Sequence, residues 1–398
     1  MIALLVFLII LSVLVLIHEA GHYLVAKKFG IKVEEFGWGM PPRLWGKKIG
    51  ETIYSINWLP IGGFVKLFGE DDAGGGKVNL KDTQEKVKKS ELERAFFTRP
   101  VWQRAAVVVA GVVMNLLLAA LIYYVFLGVS GFRTELPLIT NHKFFGVNQT
   151  NQVKSLIVRE IAPDSPAEAA GFKNCSENYC AQITKVNGSD ISNGDDFIDI
   201  VKDNAGKEVV FTVVNLTDNK TENKTLVPRV DPPQGEGALG IVFESNVVAV
   251  LSYDTPLQRI FSGFTHPINL MAYQLDILGQ LISSSFAKKD IQPVSSAVSG
   301  PVGIFVVTGE VLKTPDLEER MLSLLNLAGL LSISLAFFNI LPIPALDGGR
   351  LFFIVAEGLT GRKVNPRTET LVHTIGMVVL LGLIVLITFK DISQFFLK

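Results

Sequence analysis

The 398-residue chain has little cysteine, little charge and no surplus of either sign. Two cysteines, Cys175 and Cys180, are too few for a disulfide-stapled scaffold or a cysteine-rich metal domain. Charged residues make up 19%, below the roughly one quarter usual in soluble domains, while 48% of the residues are hydrophobic. Lys+Arg 37 against Asp+Glu 38 leaves a formal charge of −1, so the basic surplus of a nucleic-acid-binding protein is absent. What the chain has instead is apolar length, and its mean hydropathy of +0.37 marks a membrane protein.

A helix needs about 20 apolar residues to cross a bilayer, and four stretches supply them, at about 2–26, 105–129, 321–346 and 370–389. No Lys or Arg precedes the first run and no small-x-small site follows it, so it is expected to stay attached rather than be removed as a signal peptide. Residues 27–104 hold 15 basic and 10 acidic side chains, whereas 131–320 hold 16 and 23. By the retention of Lys and Arg in the cytoplasm, the first loop is cytoplasmic, and both termini and the large central region are extracytoplasmic. The fold class that follows is a polytopic α-helical membrane protein with four transmembrane helices and an inserted extracytoplasmic region.

Within the first span the chain reads His18-Glu19-Ala20-Gly21-His22. Residues i and i+4 of a helix project from one face, so both imidazoles can reach one Zn²⁺ while Glu19 stands beside it as a general base. Three ionisable groups in five residues of an apolar span are unfavourable unless they line a wet cavity or hold a metal. At ~1.5 Å per residue His18 lies roughly 24 Å along the helix from Ile2, towards Lys27 and Lys28 and hence the cytoplasmic side. Two histidines leave a catalytic zinc one protein ligand short. His142 and His266 fall in the extracytoplasmic region, and His373 opens the fourth span without an acidic or histidine neighbour. All three read as interfacial or packed histidines. Asp347 is better placed: in Asn339-Ile340-Leu341-Pro342-Ile343-Pro344-Ala345-Leu346-Asp347-Gly348-Gly349-Arg350, two prolines break the helix and two glycines permit a tight turn. Such an Asp also caps a following helix, but capping alone does not account for a carboxylate at the depth where the histidine pair lacks a partner.

These residues resemble the site-2 proteases, intramembrane zinc metalloproteases, and within them the bacterial regulator of sigma-E protease group. HEAGH and NILPIPALDGG are similar to that family's two signature motifs. Asn57–Lys66 is similar to its IPxGGYVK segment, Phe36-Gly37-Trp38-Gly39 to its GFGP segment, and Ser299–Ile304 to its SGPVGI segment, so the resemblance covers nearly the whole chain. It implies a zinc endopeptidase of the bacterial inner membrane, with one Zn²⁺ per chain on His18, His22 and Asp347 and with Glu19 as catalytic base. It further implies single-span membrane substrates such as anti-sigma factors or remnant signal peptides, a prior cut by a site-1 type protease, and substrate contacts at Asn339, Gly62 and Gly63. One departure is Val112 in Ala110-Gly111-Val112-Val113-Met114-Asn115, where the family writes proline. Asn115 itself reads equally as an interhelical hydrogen bond or a substrate contact. A catalytically silent adaptor and a zinc transporter are the rival classes. Intact HEAGH and LDG weigh against the first, and a single polar cluster rather than a series along the span weighs against the second.

Between Arg133 and about Arg229 the composition turns soluble. Ser155–Ile161 reads as a strand, Ser165–Gly171 as a short helix capped by Ser165, and Asn187-Gly188 as a turn, followed by a helix near Phe197–Val201 and strands at 207–214 and 223–228. That order resembles a PDZ domain over 131–230, with a linker over 231–320. Cys175 and Cys180 could close a small loop in an oxidising compartment or remain thiols; spacing does not decide. Residues 255–290 suggest an amphipathic helix on the extracytoplasmic face. The alternation over 51–68, resuming after Gly62-Gly63, suggests a β-hairpin, similar to the membrane-associated sheet of the resembled family.

Overall fold

A computed structural model describes residues 2–396 apart from 71–88, 141, 177–178, 192–193, 219, 234 and 290–297. The chain divides into two compact units, Met1–Val129 with Ile260–Lys398, and Ser130–Arg259.

The first unit opens with helix α1 (Ile2–Lys28), strands β1 (Val33–Ile49) and β2 (Thr52–Leu67), and helix α2 (Val101–Val129). In an apolar solvent a helix is favoured because it satisfies its own backbone polar groups. α1 ends after Lys27 and Lys28, where Gly30 takes φ 71°. α1 and α2 approach closely at Gly21, whose Cβ, if present, would lie 2.4 Å from the Ala110 carbonyl oxygen. The two long strands fold on one another. Arg43–Ile49 pairs with Thr52–Asn57 around a turn at Gly50, and Phe36 is matched on one side by Tyr54 and on the other by Val65. The alternation over 51–68 therefore belongs to one bent strand rather than a hairpin: Gly62, at φ 82°, bends the chain round to the far side of β1. Alternation reveals a strand but not its partner, and the partner, rich in Gly and Pro between Gly37 and Gly46, does not itself read as a strand. The turn is clasped to the end of α1, with Glu51 receiving Lys27 Nζ at 2.6 Å and Arg94 Nη1 at 2.7 Å.

The second unit contains β3 (Arg133–Pro137), β4 (Asn148–Ile161), α3 (Pro166–Ala169), β5 (Ala181–Val186), β6 (Ser189–Asp190), α4 (Gly194–Asp203), β7 (Val209–Asn215), β8 (Thr221–Leu226) and β9 (Ile241–Ser252). They form one sheet in the order β3-β9-β4-β5-β7-β8, with β6 beside β5, around buried Leu156, Ile183, Phe197 and Phe211. Ser165 caps α3 by accepting the Glu168 N–H at 3.2 Å, and Asn187 and Gly188 turn at φ 50° and 79°. Cys175 and Cys180 are joined by a disulfide. The turn-rich stretch 231–240 suggests that this domain stops near 230. Instead β9 returns between β3 and β4, and the unit runs to Arg259. Prolines and glycines interrupt a chain locally, whereas pairing with a strand far back in sequence leaves no local mark. An apolar groove of about 400 Å³ lies between α4 and the start of β9, lined by Phe197, Val201, Leu239, Ile241 and Phe243 among others.

The chain continues through α5 (Pro256–Lys288), α6 (Pro301–Lys313), α7 (Leu317–Ile340), α8 (Asp347–Thr360) and α9 (Pro366–Phe396). Among the described residues four helices are long and apolar enough to cross a membrane: Ile2–Lys28, Val101–Val129, Leu317–Ile340 and Arg367–Gln394. α7 stops at Ile340 rather than 346, because Pro342 and Pro344 cannot continue it. α5 covers the expected segment as far as Lys288; position 290, at its end, is outside the described residues. Gly263 sits against Ala120 of α2, and further along Gln274 donates to Ser334 of α7 at 3.0 Å. Its polar Ser262, His266 and Asn269 are buried while Ile260, Phe264 and Ile268 are exposed, the reverse of an amphipathic helix facing water. The N-terminus of α6 is held by Asp391 of α9, whose carboxylate accepts Gly300 N–H at 2.9 Å and Gly303 N–H at 2.8 Å.

Candidate active site

His18 and His22 share one face of α1, and Asp347 is the first residue of α8, delivered by the turn that follows α7. The turn is tight because Gly348 and Gly349 allow it: a Cβ on Gly348 would meet the Leu341 carbonyl oxygen at 2.0 Å, and one on Gly349 the Ile343 oxygen at 2.5 Å. Asp347 Oδ2 lies 2.9 Å from His18 Nε2 and 3.2 Å from His22 Nε2, and the two Nε2 atoms are 3.2 Å apart. The three residues can each offer a ligand atom within 4.8 Å of the others.

The groups behind the ligands show that this set fits a cation. His22 Nδ1 donates to the Val107 carbonyl at 2.8 Å, which leaves the Nε2 lone pair facing the cluster. His18 Nδ1 is 3.2 Å from the side-chain amide of fully buried Asn115, whose Oδ1 has no partner among the described residues. The two orientations of an amide share one shape, and the one that turns Oδ1 to His18 accepts the Nδ1 proton and again frees Nε2. Two imidazole lone pairs and a carboxylate then converge on one point, an arrangement that repels itself unless a cation sits there. Two histidines and a carboxylate are a donor set of catalytic zinc sites.

Asn115 is thus behind His18, fully buried, with its side chain bridging α2 to α1 and its backbone carbonyl accepting Ser332 Oγ of α7 at 2.8 Å, an interhelical arrangement rather than a surface open to substrate. Sequence reading gave no role to Gly111, yet a Cβ there would lie 2.5 Å from His22 Nε2.

Glu19 lines a cavity of about 130 Å³ together with His22, Glu70, Asp347 and Arg350. A larger cleft, about 760 Å³, lies between Phe64, Val65 and Lys66 of β2 and the Ala345–Asp347 turn. Gly63 passes close to Glu19, since its Cβ, if present, would be 3.5 Å from Glu19 Cγ; Gly62 is at the bend, under Met40. Arg350 Nη1 pairs with Glu70 at 2.6 Å, joining α8 to the end of β2, and His373 Nδ1 accepts the Ala345 N–H at 3.0 Å. Neither pairing has a signal in sequence, because each partner lies in a different element. Asn339 is half-buried in the last turn of α7, and its amide makes no hydrogen bond among the described residues.

The comparisons with known proteins point the same way. A sequence model of peptidase family M50 matches residues 6–383. A Clostridium perfringens protein named as a zinc metalloprotease is 32% identical over 381 residues, covering 96% of each chain. The regulator of sigma-W protease RasP of Bacillus subtilis is 29% identical over 461 residues, covering 98% of each. A Fusobacterium nucleatum protein named as a zinc metalloprotease is 30% identical over 389 residues, again covering 98% of each.

Proposed function

The chain belongs to peptidase family M50, the site-2 proteases, and from that premise we propose that it hydrolyses a peptide bond within or beside the transmembrane segment of another membrane protein. The observation that carries this reading is the convergence of His18 Nε2, His22 Nε2 and Asp347 Oδ2 at about hydrogen-bond distance, with both histidines anchored from behind. These three residues would hold one Zn²⁺ per chain, which when bound supplies Lewis acidity to the carbonyl and a lower pKa to the attacking water. Glu19 takes the proton of that water at its carboxylate and returns it to the leaving nitrogen. Val107 and Asn115 keep the imidazoles in the ligating tautomer.

A helical substrate hides its carbonyls in its own hydrogen bonds, so it must be unwound before it is cut. Among the described residues no strand pairs with the outer side of Gly63–Leu67, and an extended substrate would add to that edge across the cleft from Asp347. Gly62 and Gly63 let the edge pass close to Glu19, and the unspent Asn339 amide is suited to an unwound backbone. The second unit is PDZ-like in its capped α3, its Asn187-Gly188 turn and its groove beside α4, and serves to restrict entry of substrates that still carry bulky domains. The first loop would be cytoplasmic, and the termini and the second unit extracytoplasmic, in a bacterial inner membrane. Similarity to a regulator of sigma-W protease supports an anti-sigma factor as substrate, after a first cut by another protease.

The test is cleavage of a single-span substrate in detergent or vesicles, with the cut mapped by mass spectrometry. Chelation should stop it, zinc should restore it, and the cut should fall within or next to the span. Undiminished cleavage after metal removal would refute the reading, and Asp347→Ala should behave as the chelated protein does.

A further inference from the structure

We infer that His373 is a positioning residue for the third metal ligand: it holds the backbone that presents Asp347, so that the seating of α9 sets the geometry of the metal centre. The inference rests on the reading of His18, His22 and Asp347 as the zinc site.

Ala345, two residues before Asp347, takes φ 78°, the left-handed region that a residue with a Cβ avoids unless something holds it. Its preceding residue is Pro344, which has no N–H to contribute to a local turn. The Ala345 N–H instead leaves the loop altogether and donates to His373 Nδ1 at 3.0 Å. That bond fixes the imidazole as the tautomer with its proton on Nε2. His373 is only 2% exposed, and Nε2 has no partner among the described residues. A ring kept only to fill space would be better as phenylalanine, which would bury no unpaired N–H. The one nitrogen that is satisfied is the one bound to the loop.

One turn on, the absence of a side chain brings α9 flush against the same loop. A Cβ on Gly376 would lie 2.4 Å from Pro344 Cβ. Beyond this contact α9 turns Met377, Val378, Val379, Leu381 and Leu383 outward, and Asp391 ties its far end to α6. His373 and Gly376 are therefore the points at which the last span grips the turn that carries Asp347. Groups that orient a metal ligand from behind commonly change affinity by about 10–100-fold when removed.

The test uses the full-length protein with His373→Phe, which keeps the ring volume and removes the acceptor, and His373→Asn, which keeps an acceptor near the Nδ1 position. Zinc affinity is read by chelator competition and ligand geometry by the visible spectrum of the Co²⁺-substituted protein. His373→Phe should weaken zinc binding by about 10-fold or more, alter the Co²⁺ spectrum, and lower kcat with little change in KM. His373→Asn should recover most of the affinity. Gly376→Ala, which leaves the imidazole chemically intact but pushes α9 off Pro344, should weaken zinc in the same direction and serves if His373→Phe does not fold. Wild-type zinc affinity and spectrum in the variants that fold would overturn the inference while leaving the metal site standing, provided Asp347→Ala loses the metal. A wild-type protein that binds no zinc would overturn both.

Discussion

At the residue scale the space between α1 and α2 decides whether the metal ligands can meet. A Cβ on Gly111 would lie 2.5 Å from His22 Nε2 and 2.7 Å from His18 Cε1, closer than carbon atoms approach in real side-chain contacts. Gly111→Ala is expected to lose zinc content and at least 90% of cleavage, roughly the 10-fold effect of disturbing a ligand from outside its coordination shell. Gly309→Ala, whose Cβ would meet Ala3 only at 3.8 Å, should match wild type and controls for helix propensity. Zinc measured on the purified proteins distinguishes the cases, and a fully loaded Gly111→Ala would mean that the helices part without moving the imidazoles. His18, His22 and Asp347, which meet in the structure, were legible in the sequence because each is a polar group in an apolar stretch, where it needs a reason to be there. Gly111, Glu70, Arg350 and His373 were not, because a glycine's missing side chain and a hydrogen bond to a distant backbone amide leave no pattern along the chain.

At the scale of elements, the position of β1 and β2 depends on a clasp outside the spans. Glu51 at the strand turn accepts both guanidinium nitrogens of Arg94 and the ammonium of Lys27, and these hydrogen bonds, Arg94's first, hold its carboxyl down to about 2. A carboxyl whose folded pKa lies below its unfolded value stabilises the fold above the unfolded pKa and loses that contribution as the pH falls through the folded one. The clasp should therefore contribute fully at neutral pH and weaken between about 4.5 and about 2. Denaturant unfolding of wild type against Glu51→Gln should show wild type the more stable at pH 7, with the difference shrinking across that window. A constant difference from pH 7 to 2 would show that the carboxylate is not what holds the turn. Hydropathy locates the four helices that are both long and apolar among the described residues to within about six residues at each end, since membrane spans are set by composition and length. The sheets are only partly visible in sequence, as β1 and β9 carry glycine, proline or turn-rich flanks and are fixed by partners far away in sequence. α5 reads as a surface helix from its mixed composition, and only its packing shows Ser262, His266 and Asn269 buried and Gln274 bonded to Ser334 of α7.

At the scale of the whole molecule, two of the four apolar helices, α1 and α2, carry or brace the histidine pair, and the turn between α7 and α8 brings the carboxylate. The family relationship spans nearly the whole length, in keeping with motifs that lie at opposite ends of the chain and meet only in the folded protein. A zinc peptidase needs its base for chemistry but not for holding the metal, and that separation gives the most direct measurement. Purified Glu19→Gln and wild type are compared for zinc per chain and for cleavage of one single-span substrate. About one zinc is expected in both, with cleavage by the variant lower by the roughly 10²–10⁴-fold that a general base contributes. Cleavage by Glu19→Gln at the wild-type rate, with zinc still bound, would contradict that expectation.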